Sequence, residues 1–380
     1  MINAKEILET RPVSLGLELL EERTLGGGHC PVGALIARDG VCIMPHWRRD
    51  HTHPERIYSY SLDGGTSWEE RQVEPPIQGE IIQLADGSFL GIAGRSPLEH
   101  EVNSQQLTKP YIAHLRRAGS PRDLLEGKWE DGFASIQIPY LYGGMSDEGL
   151  WYLGNCDGGL VEMPSGYLIN TMSGNLKFDR TPISYFKQPA YQYRVWSCIS
   201  RDRGVTWQYL STVASSDTFE VPAMAEGFNE SALACTGEDS LVCVMRTGGN
   251  PHQWPSCFFP LYASRSRDGG LSWDQPRRVA PHGVKPMLLR MSNGVLVCKS
   301  GRPGTFLVFS ADGGDTWSQP HVIDDYDADW VPGIHCSCGY GSIGEIEPGV
   351  LIVLYDEYDN EGSQGGGFIL KQRKYSVACL

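Results

Sequence analysis

No run of 18 apolar residues occurs in this chain, so no segment has the length of a membrane-spanning helix. The opening residues, MINAKEILETRPVSLG, contain no apolar stretch of signal-peptide length. There is no glycine-rich loop with its lysine to cradle a phosphate, and the GGG triplets at 26–28 and 365–367 read as turns. Paired C-x-x-C spacing is absent, so no zinc site is expected, nor is a cofactor. Positive charge is scarce. Lys and Arg total 32 against 46 Asp and Glu, a formal net charge of -14, which argues against a surface that tracks nucleic-acid phosphates. A small anionic substrate stays possible, because a pocket can be locally basic inside an acidic protein. No linker or shift in composition marks a second domain, so residues 1–380 are expected to form one domain.

What is present points to short strands. The chain has 380 residues, enough for a large core, and its 45 Gly and 24 Pro are scattered throughout. The 11 Cys are odd in number and dispersed, many inside apolar runs, such as Cys42, Cys235, Cys243 and Cys298. They read as buried free thiols, which favours a reducing cytoplasm. Secretion stays open if a leader has been trimmed.

A repeat organises the sequence. An apolar run, a Gly-containing turn and a second apolar run recur at 33–45, 81–95, 159–172, 231–246, 286–302 and 341–355. Each reads as a hairpin, with glycine supplying the positive φ that a tight turn needs. Six hairpins imply six blades. Interleaved with them is S-x-D-x-G-x-[ST]-W, at 61–68, 200–207, 266–273 and 310–317. Its Asp can accept hydrogen bonds from the turn backbone and its Trp can pack between strands. The runs SLGLELLEERTL and GFILKQRKYSVACL are candidates to complete the last blade from both chain ends, leaving no open edge. The segment 97–156 reads as a long connection from blade two to blade three.

The repeated motif resembles the Asp box of the sialidase (neuraminidase) superfamily, over about residues 25–360. The resemblance implies an all-β, six-bladed β-propeller. The Asp box itself is structural and carries no chemistry. The superfamily further implies a retaining exo-glycoside hydrolase that releases a terminal sialic acid or similar acidic sugar. Because that substrate carries a carboxylate at the anomeric carbon, an anionic nucleophile would be repelled, and a neutral Tyr activated by Glu takes its place.

On this resemblance Tyr340, in GYGSIGEIEPGVLIVLYDE, matches the nucleophile, with Gly341 where the family has Ser. Glu230, in FNESALAC, matches the activating carboxylate. Asp50, in HWRRDHTHPERIYSYS, matches the general acid, with Arg48 beside it as a substrate-binding candidate and Glu55 as a spare acid. Arg246 and Arg302 match the second and third arginines that clamp the substrate carboxylate in a fork geometry. The first arginine, expected in R-I-P, is replaced by His29 of His29-Cys30-Pro31. Its usual carboxylate partner is matched by Asp356 of Tyr355-Asp356. Either His29 still binds an anion, more weakly as pH rises, or the clamp is lost and the sugar differs. Two alternatives follow: a glycosidase or polysaccharide lyase acting on uronic-acid-type or other non-sialic sugars, and a non-catalytic carbohydrate-binding propeller. The His46, His51, His53 and His335, Cys336, Cys338 clusters read as pocket-lining side chains rather than metal ligands. The expected partner is a glycan or small acidic sugar, not nucleic acid or membrane.

Overall fold

Apolar runs broken by a turn glycine pair most readily with themselves. In the computed structural model all six do so as antiparallel hairpins. The structure describes residues 15–47, 56–72, 79–94, 111–142, 144–146, 149–151, 159–184, 191–248, 259–325, 338–359 and 367–379. Among these, the hairpins are extended by outer strands into six blades of a β-propeller. Blade one holds Leu35–Ile36, Cys42–Trp47, Arg56–Ser61 and Glu69–Arg71; blades four and five repeat that order over Asn229–Ala280 and Val284–Asp324.

Blade six is built from both chain ends. Ser342–Glu347, Val350–Asp359 and Gly367–Cys379 come from the end of the sequence, and the strand Leu15–Gly27 closes the sheet along Gly367–Cys379. Closure is also visible in the core. Each of six apolar clusters draws on two consecutive blades, and the cluster of Met44, Ile352, Leu354 and Leu370 joins blade six to blade one. Burial between blades therefore runs round the whole ring.

The segment 97–156 departs from the expectation of a long connection. It contains Tyr111–Ala118 and Glu130–Gln137, the two outer strands of blade two, linked through the short helix Pro121–Leu125 with Ser120 as its N-cap. These strands carry the adjacent charged pairs Arg116-Arg117 and Glu130-Asp131 and lack the repeated turn motif, so their pattern was hidden. Glu130–Gln137 also pairs in parallel with Thr206–Ala214, joining blade two to blade three in one sheet.

The repeated turn works through its Ser and Asp. In the first copy Ser61 Oγ accepts the Gly65 N–H at 2.8 Å, and Asp63 accepts the N–H groups of Thr66 and Ser67 at 3.0 and 2.8 Å. Gly65 has φ 78°, and a side chain there would run into Ile352 and Gln372 of blade six. Trp68 donates to Gln372 at 2.9 Å across the same boundary. In blade five Asp312 accepts from Thr316 N–H and Oγ1 at 2.9 and 2.6 Å. Asp312→Ala should lower stability by about 1 kcal/mol, measured by urea unfolding, since charge-assisted hydrogen bonds at a partly exposed turn are worth little more.

Candidate active site

Hairpin strands begin and end at one face of the ring, and the fold gathers its charged groups there. Glu230 enters just after Asn229, which pairs with Arg246; the register shifts between Asn229 and Ser231, leaving Glu230 in a bulge. A bulge turns a side chain out of its regular alternation. Lys285 stands in a second bulge, between Val284 and Met287. Arg302 follows the strand Leu296–Gly301, and Tyr340 precedes the strand Ser342–Glu347.

Four of the expected residues meet. Tyr340 donates its hydroxyl hydrogen to Glu230 Oε1 at 2.7 Å. Glu230 Oε2 lies 2.5 Å from Arg246 Nη1 and accepts the Lys285 backbone N–H at 2.8 Å. The Arg302 guanidinium lies over the Tyr340 ring, 4.7 Å from its centroid, and Arg302 Nε donates to the Cys338 carbonyl at 2.9 Å. Arg246 also reaches Glu226, at 3.5 Å.

Burial and charge set the protonation of this group. Burial would raise the Glu230 pKa, but the Arg246 guanidinium, Lys285 and the Tyr340 hydroxyl outweigh it and hold the carboxyl at about 2. Burial first, then Glu230, pushes the Tyr340 phenol well above its ordinary value, against the opposing pull of Arg246 and Arg302. At rest the pair is a neutral phenol and an ionised carboxylate, with the proton on Tyr340. Arg246 is kept charged because Glu230 and its neighbours outweigh the opposing effect of burial.

His29 and Asp356 occupy a neighbouring corner. His29 exchanges backbone hydrogen bonds with Trp47, both at 3.0 Å, and its ring packs on Phe368 with centroids 5.3 Å apart. Asp356 is fully buried. Its two oxygens accept the backbone N–H groups of Cys30 and Cys338 at 2.8 and 2.9 Å, so it positions two main chains beneath the site. Asp356→Asn would set an amide N–H against one of these donors. A stability loss of about 2 kcal/mol is expected in thermal or chemical unfolding. Asp50, Arg48, Arg49, His51, His53, Glu55, His335 and Cys336 lie outside the described residues.

Several participants were not anticipated. Lys285 contributes its main chain to Glu230 and its ammonium to Glu80, at 3.3 Å. Glu226 is the second carboxylate on Arg246. Lys299, fully buried, donates from Nζ to the Gly339 carbonyl at 2.9 Å. It also explains Gly341: a Cβ there would fall 2.6 Å from Lys299 Nζ and 2.4 Å from the Leu354 carbonyl. Backbone strain collects here as well. Among the described residues, Cys30, Lys285 and Arg302 are three of the five non-glycine residues at positive φ, at 58°, 36° and 62°. Such positions persist where surrounding contacts over-determine them, often at functional sites.

No family model matches the chain, and no curated protein matches it at a significant level. Solved structures do. The chain is similar to a protein of unknown function from Dyadobacter fermentans, with 17% identity and a TM-score of 0.63 over 96% of this chain and 100% of that one. It is similar to a Hadza microbial sialidase, with 16% identity and a TM-score of 0.56 over 93% of this chain and 66% of that one. The fold is that of the sialidase propellers. A third likeness, to the NanB sialidase of Streptococcus pneumoniae, has 12% identity and a TM-score of 0.50 over 97% of this chain and 70% of that one. At these identities the likeness concerns fold, and chemistry has to be argued from the residues themselves.

Proposed function

We propose that this propeller is a retaining exo-glycoside hydrolase of sialidase type, acting on a terminal acidic sugar. The observation that carries the reading is the 2.7 Å hydrogen bond from Tyr340 to Glu230, set between the guanidinium groups of Arg246 and Arg302. A neutral phenol can approach an anomeric carbon bearing a carboxylate, where an anionic nucleophile would be repelled. As the phenol oxygen bonds to that carbon, its proton passes to Glu230 Oε1, which is already aligned to accept it. Asp50 is assigned the acid that protonates the departing oxygen. Arg302, Arg246 and His29 are assigned the substrate carboxylate. Water then attacks the glycosyl–Tyr340 bond and releases the sugar with retained configuration.

One observation favours a different acidic sugar. Where the superfamily places its first clamp arginine, this chain has His29-Cys30-Pro31, and the Asp356 carboxylate accepts two backbone N–H groups. With two arginines rather than three, a uronic-acid glycoside becomes the second reading, cleaved by hydrolysis or by β-elimination.

A fluorogenic α-N-acetylneuraminic acid glycoside and a uronic-acid glycoside, assayed in parallel, separate the two. Release from the first supports the sialidase reading. Release from the second, or an unsaturated product absorbing in the ultraviolet, supports the other. Neither would sink the catalytic proposal. The pH profile offers a further check. Glu230 is ionised at all assay pH values, so its titration should produce no acid limb above about pH 4. On the alkaline side kcat/KM should fall, because the departing oxygen needs a protonated acid. An acid limb near pH 5 that disappears in Glu230→Gln would contradict this assignment.

A further inference from the structure

Cys30 and Cys338 are far apart in sequence and adjacent in the fold. Each donates its backbone N–H to a different oxygen of Asp356, so one buried carboxylate clamps the two main chains side by side. Both are free cysteines, and a side-chain hydrogen bond between them helps to raise the Cys338 pKa. Burial lowers the pKa of the neighbouring Lys299, against the opposing pull of Cys338, Asp356 and Cys30. Cys338 also reaches the nucleophile candidate directly: its sulfur accepts the Tyr340 N–H at 3.3 Å and lies 3.6 Å from the Tyr340 carbonyl oxygen.

We propose that Cys30 and Cys338 form a reversible disulfide, a modification site that ties the start of blade one to the loop carrying Tyr340. The thiol of Cys338 is held protonated by its burial, its contact with Cys30 and the nearby Asp356 carboxylate. Both cysteines are half-buried, so with the Cys338 thiol held protonated, Cys30 is the sulfur that attacks a low-molecular-weight disulfide such as oxidised glutathione first. The Cys30 sulfur bonds to one sulfur of the oxidant and releases one thiol. The Cys338 sulfur then displaces the second, and the two cysteine protons end on the two released thiols. Two cysteines are oxidised and one small disulfide is reduced, so the exchange balances. The new bond draws the Cys338 sulfur away from the Tyr340 main chain. Its effect on catalysis rests on the reading of Tyr340 as nucleophile, whereas the bond itself does not.

The test treats the full chain with oxidised glutathione, alkylates free thiols and maps the digest by mass spectrometry. A Cys30–Cys338 linked peptide that vanishes on reduction is expected, with glycoside hydrolysis falling about fivefold or more and recovering with dithiothreitol. Cys30→Ser should form no link and keep its activity under the oxidant. Cys338→Ser should accumulate a stable glutathione adduct on Cys30. Recovery of both wild-type cysteines as alkylated thiols, or of a persistent adduct on Cys30, would overturn the disulfide. A linked peptide with undiminished activity would overturn the tie to Tyr340. The mass readout needs no substrate, so failure of the glycosidase reading shows separately, as a reduced protein that cleaves nothing.

Discussion

Tyr340→Phe is expected to lower kcat by about 10³-fold or more while leaving the fold in place. The substitution removes one oxygen. The ring stays under the Arg302 guanidinium, and Glu230 keeps Arg246 at 2.5 Å and the Lys285 N–H at 2.8 Å. Only the hydrogen bond from the phenol is lost, and its net worth is about 1 kcal/mol because the acceptor remains satisfied by other donors. Melting temperature should therefore shift by a few degrees at most. A phenylalanine variant that retains more than about a tenth of wild-type kcat, with an unchanged melting curve, would remove Tyr340 from the role of nucleophile. Calorimetry beside the kinetic assay keeps a folding failure from being mistaken for a chemical one.

Glu230→Gln is expected to reduce both activity and stability, and the stability loss should depend on pH. The amide keeps the shape of the carboxylate but cannot take the phenol proton, and removing a general base costs about 10²–10⁴-fold in rate. Arg246 is buried, and its remaining carboxylate neighbour, Glu226, lies at 3.5 Å against 2.5 Å for Glu230. Leaving a buried charge short of its nearest partner costs about 3 kcal/mol. The sign with pH follows from linkage. Burial opposes ionisation of Glu230, yet Arg246, Lys285 and Tyr340 bring its pKa from 4.5 down to about 2 in the folded chain. A carboxyl whose folded pKa is depressed stabilises the fold above its unfolded pKa, and that contribution is lost as pH falls through the folded value. The gap between wild type and Glu230→Gln should therefore be full at pH 7 and shrink from about pH 4.5 towards pH 2. Denaturant unfolding at pH 7, 4 and 3 measures it. A gap that stays constant across that range would mean that Glu230 is not the ionised partner of Arg246.

Much of this was legible before any coordinates. The alternation of apolar runs with glycine turns is a local property, and each hairpin closes within about fifteen residues of chain, so six hairpins could be counted from the sequence. The four S-x-D-x-G-x-[ST]-W copies are equally local, because their Ser and Asp bond to backbone within four residues, as Ser61 and Asp63 do. Closure by both chain ends was legible too, since a strand-like run at each terminus leaves a sheet edge that needs a partner. The residues that now touch at the site, Tyr340, Glu230, Arg246 and Arg302, were picked out by the motif positions they share with a known superfamily.

The rest was decided in three dimensions. The outer strands of blade two carry charged side chains and no turn signature, so their pairing emerged only when the neighbouring sheets were in place. The contacts of Lys285 with Glu230 and Glu80 cross blade boundaries, and no spacing in the chain relates them. Gly341 looked like a missing serine until Lys299 was seen to fill the space beside it. Cys30 stood in the His29-Cys30-Pro31 tripeptide and Cys338 in a cluster read as pocket-lining, and nothing in the sequence related them. Only the ring, by bringing its last blade against its first, set them on the two oxygens of one carboxylate. Local geometry is written in neighbouring residues, and the sequence determined it; the charge balance of the site and the meeting of these two sulfurs depend on long-range closure, which packing between blades alone supplies.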